Sequence, residues 1–582
     1  MNPSARIIAL LMSIAVLISS FIACGKDENT IIDDSIDNSD VLKDDPVTEA
    51  DETEDDAQEK EDDAQEKEDV FEIVYPSVSV SSLKFELTDK DLEEYKGKLM
   101  ETKRLFNKSE GVSEDEFRGA LYELLSLEAA MQTQRDIAYI QYHYDMSDSV
   151  AWDHYLYAYN LHDDANDLFW AFYNESKKSD SHLLAVFKQV VQKEFKGNLV
   201  STVPSADSYA DEMTALEGEY NSLKNSGASD EKMFNVYKEY MVAAYGYATS
   251  SNTANYYEYA NKYIYYRNDT SVQRKALRQY VKEYLVPLYR QLRDKSKAYD
   301  SQLALVEYAL SNEYVYGEYN SFGENYLIDY FSSLPSTSCA AMTGAFEKDR
   351  VLIGDRDNSY NSAMVHTVGN TPICYFHQSK TTLDTMAHEI GHYYAHIIAD
   401  RTYCSLDLRE THSTANTMLL YSYLSDKLDT KAFTSAEIYM VSNWLYQTIS
   451  SVIKDEFDEM IYARDPSTLT LEDFESIMGQ LIDKYDVRDL SNNIGNQLMT
   501  YWRRLGIIYP MSNYCYATAM ISALQIYIIS KDNYFAASEM YKTIVEDVGD
   551  QEDFLLTIVT AGLTTPYDEQ TYIKLNELKN LY

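Results

Sequence analysis

The chain is short of the residues that interrupt regular structure, with 10 prolines and 19 glycines in 582 residues. Amphipathic runs therefore continue unbroken over roughly 88–110, 114–145, 209–226, 230–249 and 272–312, and a mostly α-helical fold is expected. Basic side chains are also few, 50 Lys and Arg against 95 Asp and Glu, for a net charge of −45. That sign argues against a nucleic-acid partner; solubility is its first consequence. The cysteines number five (Cys24, Cys339, Cys374, Cys404 and Cys515), with no C-x-x-C spacing to suggest a thiolate metal site. Tyrosine, by contrast, is abundant at 53 and clusters between Tyr237 and Tyr266. Such a stripe is the pattern of helix packing with wet hydroxyl tips. From Phe331 to Phe376 the composition shifts toward Gly, Pro, Ser and Thr, and a small sheet forming one wall of a cleft is expected there.

The first 70 residues are unlike the rest. Arg6 precedes an apolar run, Ile7 to Ile22, too short for a stable membrane span. Residues 1–23 are therefore expected to be an export signal. It ends in Phe21-Ile22-Ala23-Cys24, which resembles a bacterial lipobox, with phenylalanine where leucine is usual. Cys24 would then be lipidated and anchor the exported chain to the bacterial cell membrane, facing outward. Residues 24–70 would be a disordered acidic tether. Positions 25–69 carry 21 acidic residues against 4 lysines, and Glu54-Asp-Asp-Ala-Gln-Glu-Lys60 repeats as Glu61 to Lys67. A segment so polar buries too little surface to offset the entropy of ordering it. Beyond it, a helical N-terminal region (71–330) and a catalytic region (331–582) are expected.

The most informative stretch is Thr381 to His392, which contains His388-Glu389-Ile390-Gly391-His392. On a helix, His388 and His392 stand one turn apart on one face and can address one metal ion. Glu389 beside them can take a proton from a water. Thr381 and Asp384 have the spacing of a capping box, and no proline interrupts the run from Thr381 to Asp400, so the motif is expected on a helix. Asp384 is read as the cap partner. A catalytic zinc takes three protein ligands. Ala395 and Ile398 stand where a longer H-x-x-G-x-x-H motif would continue, so the third ligand must come from elsewhere. Glu410, on a second helical segment at about 406–427, lies where an antiparallel return would bring it back. By residue type alone it is either a ligand or an ordinary exposed carboxylate.

Four segments resemble the thimet oligopeptidase and oligoendopeptidase F family of zinc metallopeptidases. Met386 to His392 resembles the family's L-A-H-E-L-G-H. Glu410-Thr-His-Ser-Thr-Ala-Asn416 resembles its E-I-A-S-T-F-N, whose glutamate is the third ligand. Lys454-Asp-Glu-Phe-Asp458 is similar to its A-E-F-E stretch, and Tyr514-Cys-Tyr-Ala-Thr518 to its Y-Q-Y-A-T. The resemblance implies a helical, ellipsoidal, zincin-type peptidase with a deep substrate channel and a small β-sheet beside the zinc helix. It implies one Zn2+ per chain on His388, His392 and Glu410, with Glu389 as general base. It also implies a tyrosine donor to the developing oxyanion, Tyr514 or Tyr509. Thr371 to Tyr375 falls where the family has an edge strand that pairs with the peptide backbone. Tyr375, His377, His412 and Tyr516 are the candidate substrate-binding residues. One departure is plain: the family's histidine shortly before Y-x-Y has no counterpart in Trp502 to Ser512.

The activity this implies is cleavage of short or unfolded peptides at the cell surface, by a chain expected to be monomeric. The alternative is a catalytically weak or inactive peptide-binding surface lipoprotein that keeps the fold.

Overall fold

The computed structural model describes residues 71–582 except 196–203, 298–326, 356–357, 361, 379–380, 400–404, 429–430, 489–497, 505–509 and 547–552. Within these limits the chain is overwhelmingly helical, as the shortage of helix breakers implies. The export signal, Cys24, the tether, Cys404 and Tyr509 lie outside the described residues. Among the described residues, no helix is long and apolar enough to cross a membrane.

The first α-helices among the described residues are α1 (Asp89–Lys108), α2 (Glu114–Tyr144), α3 (Ser149–Ser176) and α4 (Leu183–Glu194). Their starts are set locally. Thr88 and Asp91 form a capping box on α1, and the Ser113 and Asp148 side chains accept first-turn N–H groups of α2 and α3. The inward stripes of these helices close one core around Phe106, Phe117, Phe169 and Phe187. A second, larger core runs from Leu216 to Leu578. It takes in α5 (Pro204–Asn225), α6 (Asp230–Ser250) and α7 (Ser271–Tyr280), which continues through a π-helical turn (Val281–Leu285) into α8 (Val286–Lys297). The first core ends at Phe195, and the second begins at Leu216. The tyrosine cluster belongs to this second core: Tyr237, Tyr240, Tyr257 and Tyr259 are buried, as their spacing implies.

After α9 (Ser336–Glu347) come three strands, β1 (Val351–Gly354), β2 (Met364–Val368) and β3 (Thr371–His377), in spatial order β1-β3-β2. The helix that carries His388 and His392, α10 (Leu383–Ala399), follows, then α11 (Leu406–Leu428), α12 (Lys431–Tyr462), α13 (Leu471–Lys484), α14 (Tyr514–Asp532) and α15 (Tyr534–Glu546). Helix α11 lies between α10 and α14, packed on both.

The small sheet is where composition placed it, but its strand order corrects one expectation. Thr371 to Tyr375 is not an edge. β3 is the central strand, parallel to β1 from Val351↔Cys374 to Gly354↔His377 and antiparallel to β2 from Met364↔Tyr375 to Val368↔Thr371. Its backbone is paired on both sides, and among the described residues β1 and β2 are the edges. β3 is a nearly continuous apolar run, as suits a strand covered on both faces. Pro372 sits at its second residue. One face of β3, Cys374 and Phe376, packs in the core shared with α10. The other, Ile373 and Tyr375, packs against Ile137 and Ile140 of α2.

Tyr375 is therefore a core residue whose hydroxyl donates to the Tyr360 carbonyl at 2.9 Å. Replacing Tyr375 with Phe should lower the equilibrium stability in urea by about 1 kcal/mol, the net worth of one such bond. An unchanged midpoint would mean that water satisfies the hydroxyl.

Candidate metal centre

Helix α10 is started by local hydrogen bonds, shifted one residue from the expected box. The Thr382 carbonyl accepts from the Met386 N–H at 2.9 Å, and the Thr382 hydroxyl bonds the Asp384 carboxylate and the Thr385 hydroxyl. Asp384 also accepts its neighbour Thr385's N–H at 3.0 Å, so it bonds within the first turn instead of pairing with Thr381 as the expected box required. Thr381 is used otherwise: its hydroxyl accepts the His377 N–H at 2.8 Å and closes the link from β3 to α10.

His388 and His392 stand one turn apart as the spacing requires, ring centroids 4.9 Å apart and planes at 88°. Glu410 comes from α11. One candidate ligand atom from each of these three residues lies within 4.8 Å of the others, and all three residues are buried. His388 Nε2 and Glu410 Oε2 are 3.7 Å apart. Glu410 is completely buried, yet neither of its oxygens has a hydrogen-bond partner among the described residues, and neither has His392 Nε2. A buried polar atom left so costs about 1–3 kcal/mol, more for a charged group. A shared cation removes that penalty for every atom at once. Two imidazoles and one carboxylate are a donor set for zinc, with three protein ligands leaving a fourth position open.

The electrostatics agree. Burial lowers His388 to a pKa of about 3 and holds His392 well below its ordinary value, so both rings are neutral, the form a metal ligand needs. Burial raises Glu410, and the nearby charge of Glu389 raises it further. A divalent cation inverts that preference.

Two residues explain how α11 comes so close. A Cβ on Gly391 would lie 2.7 Å from Ser413 Cα and 2.9 Å from the His412 carbonyl, so glycine lets the two backbones touch. Asn416 then ties them: its side-chain amide donates to the Ala387 carbonyl at 2.6 Å while its oxygen accepts from the Tyr330 hydroxyl at 2.7 Å. Neither role was drawn from the sequence. The signal was there in a small, polar stripe on α11, where Ser413 and Thr417 follow Glu410 at helical spacing.

The other candidates are dispersed. Glu389 is fully buried beside the ligands, and its charge bears on both Glu410 and Cys374. His377 ends β3 and is buried; His412 is fully buried in α11, close enough for its charge to bear on His392. His396, one further turn along α10, is half-buried. Tyr514 is completely buried, its hydroxyl bonded to the Tyr567 hydroxyl at 3.4 Å and its ring under Arg267. Tyr516, two residues on, is half-buried. Cys339, Cys374 and Cys515 are free thiols.

No family model and no curated protein matches this sequence. Solved structures do match. PZ peptidase A, determined with an inhibitor, aligns over 86% of this chain and 99% of its own, with a TM-score of 0.64 at 16% identity. A protein described as an oligoendopeptidase F from Bacillus anthracis aligns over 87% and 98%, with a TM-score of 0.61 at 15% identity. The chain thus has the fold of these helical peptidases, small sheet included. The resemblance drawn from four short motifs is met by the architecture along nearly their whole length.

Gly391→Ala should drive α10 and α11 apart. We expect a loss of about 1–3 kcal/mol in stability, the usual effect of overpacking, together with weaker zinc binding in a chelator competition. Unaltered zinc affinity would mean that the two helices need not touch there.

Proposed function

We propose that this chain is a zinc-dependent oligoendopeptidase that hydrolyses peptide bonds in short or unfolded peptides. The observation that carries the proposal is the convergence of His388, His392 and Glu410, buried and with no hydrogen-bond partner for the Glu410 carboxylate among the described residues. The fold shared with proteins named as peptidases supports the choice of substrate.

His388, His392 and Glu410 would hold the ion. Zinc bound there supplies a Lewis acid for the scissile carbonyl and lowers the pKa of a coordinated water. Glu389 acts as the general base: it takes a proton from the attacking water and returns it to the leaving amine. Its burial keeps competing water away and strengthens its interaction with charge that develops nearby. The oxyanion needs a donor besides the metal. Tyr514 is engaged with Tyr567 in the interior, and Tyr509 lies outside the described residues; Tyr516, half-buried two residues further along α14, is the better placed donor. His377 and His412 remain in reach of the reading as groups that hold substrate, whereas the Tyr375 hydroxyl is committed to Tyr360. An extended peptide would add to an edge of the sheet, β1 or β2, through main-chain hydrogen bonds.

The reading extends to place. The lipobox-like Phe21 to Cys24 supports a lipid anchor, and the acidic stretch that follows supports a tether, which would hold the enzyme outside the membrane that carries it.

Glu389→Gln should bind zinc with unchanged stoichiometry by elemental analysis and lose turnover of a quenched peptide, since the amide cannot accept the proton. A chelator should abolish the activity of the unsubstituted chain and added zinc restore it. Turnover that survives both treatments would refute the mechanism.

A further inference from the structure

Glu410 accepts no hydrogen bond from any described residue. Its carboxylate has only the looser contact with His388 Nε2 at 3.7 Å, so its position is set by the helix that carries it. The first turn of α11 is anchored by a second buried acid. Asp407 lies three residues before Glu410, hence on the same side of the helix. Arg267 Nε donates to Asp407 Oδ2 at 2.8 Å, and both side chains are 2% exposed. Arg267 Nη1 reaches the Asn261 side-chain oxygen at 2.7 Å and the Met511 carbonyl at 3.1 Å. The guanidinium also lies over the rings of Tyr265 and Tyr514, at 4.7 and 5.0 Å. The Thr518 hydroxyl of α14 donates to the other oxygen, Asp407 Oδ1.

Three parts of the chain therefore meet on this one carboxylate: the 261–267 segment, the first turn of α11, and the start of α14 with the Met511 turn before it. A buried ion pair is a weak source of stability, and apolar replacements often match it. What it supplies here is a fixed direction. Ligand atoms must sit within about 0.2 Å of their proper distances. Asn416 fixes α11 against the zinc helix on one side of Glu410; Asp407 fixes it against the rest of the core on the other.

Building on the metal-centre reading, we propose that Arg267, Asp407 and Thr518 are positioning residues that orient α11 so that Glu410 meets His388 and His392. The test is zinc affinity, measured by chelator competition at a temperature where circular dichroism shows every variant folded. Arg267→Lys keeps the charge but not the planar fork. Thr518→Val keeps the shape and loses one hydrogen bond. Arg278→Lys is the control, because Arg278 sits in a similar buried network whose partners are Tyr257, Asp455 and Glu459, none of them on α11.

Arg267→Lys should weaken zinc binding about 10- to 100-fold, the range for residues that orient a metal ligand. Thr518→Val should weaken it less, and Arg278→Lys should leave it unchanged while lowering the melting temperature. Cobalt-substituted Arg267→Lys should show a shifted visible spectrum. Wild-type zinc affinity in both Arg267→Lys and Thr518→Val would overturn the proposal, even if both melt earlier. Should Arg267→Lys not fold, Thr518→Val decides alone. Failure of the unsubstituted chain to bind zinc would sink the metal reading itself and this proposal with it, and would be recognised because it needs no variant.

Discussion

The contact on which the site depends is the near-touching of α10 and α11. Two helices joined side by side commonly keep 8–10 Å between their axes, a distance set by the side chains at the contact. Here a glycine on one and a serine on the other remove that spacer, and an asparagine amide replaces it with a hydrogen bond across the gap. Only then does a side chain as short as glutamate reach a pair of imidazoles on the neighbouring rod. The chemistry of the site is thus a consequence of small residues that take no part in it.

The arrangement is expensive for the protein alone. A carboxylate and two imidazoles have been taken out of water and packed together, and burial works against the charged form of each. Such a cluster persists in a folded chain when a ligand repays the desolvation or when the surrounding core is large enough to force it. Both conditions are met: the donor set suits a divalent cation, and the enclosing core spans most of the chain beyond residue 204. Preferential binding of a cation to the folded state also stabilises it, by an amount that grows with the logarithm of ligand concentration over the dissociation constant.

How much of this was legible follows the range of each interaction. Helical character was legible because it is local: scarce breakers and recurring apolar positions describe it without reference to anything distant. His388, Glu389 and His392 were legible because one helix fixes all three. Glu410 was not fixed by its own surroundings and came through a four-segment resemblance, since eighteen residues of chain can return in many ways. Strand order was hidden for the same reason. Pairing is non-local, so β3 could be recognised as a strand but not as the middle one.

Tyr514 and Tyr516 show a subtler limit. On an amphipathic helix the apolar stripe announces which way each residue points. Helix α14 has no such stripe, because nearly every position from Tyr514 to Ile528 is buried. Its rotation is decided by what it packs against: Arg267 over the Tyr514 ring and Asp407 on the Thr518 hydroxyl. With that rotation set, the tyrosine that best matched the family motif turns inward to Tyr567 and its neighbour two residues on lies nearer the surface. A motif fixes residue types along a helix; the charges buried beside that helix fix which of them can face a substrate.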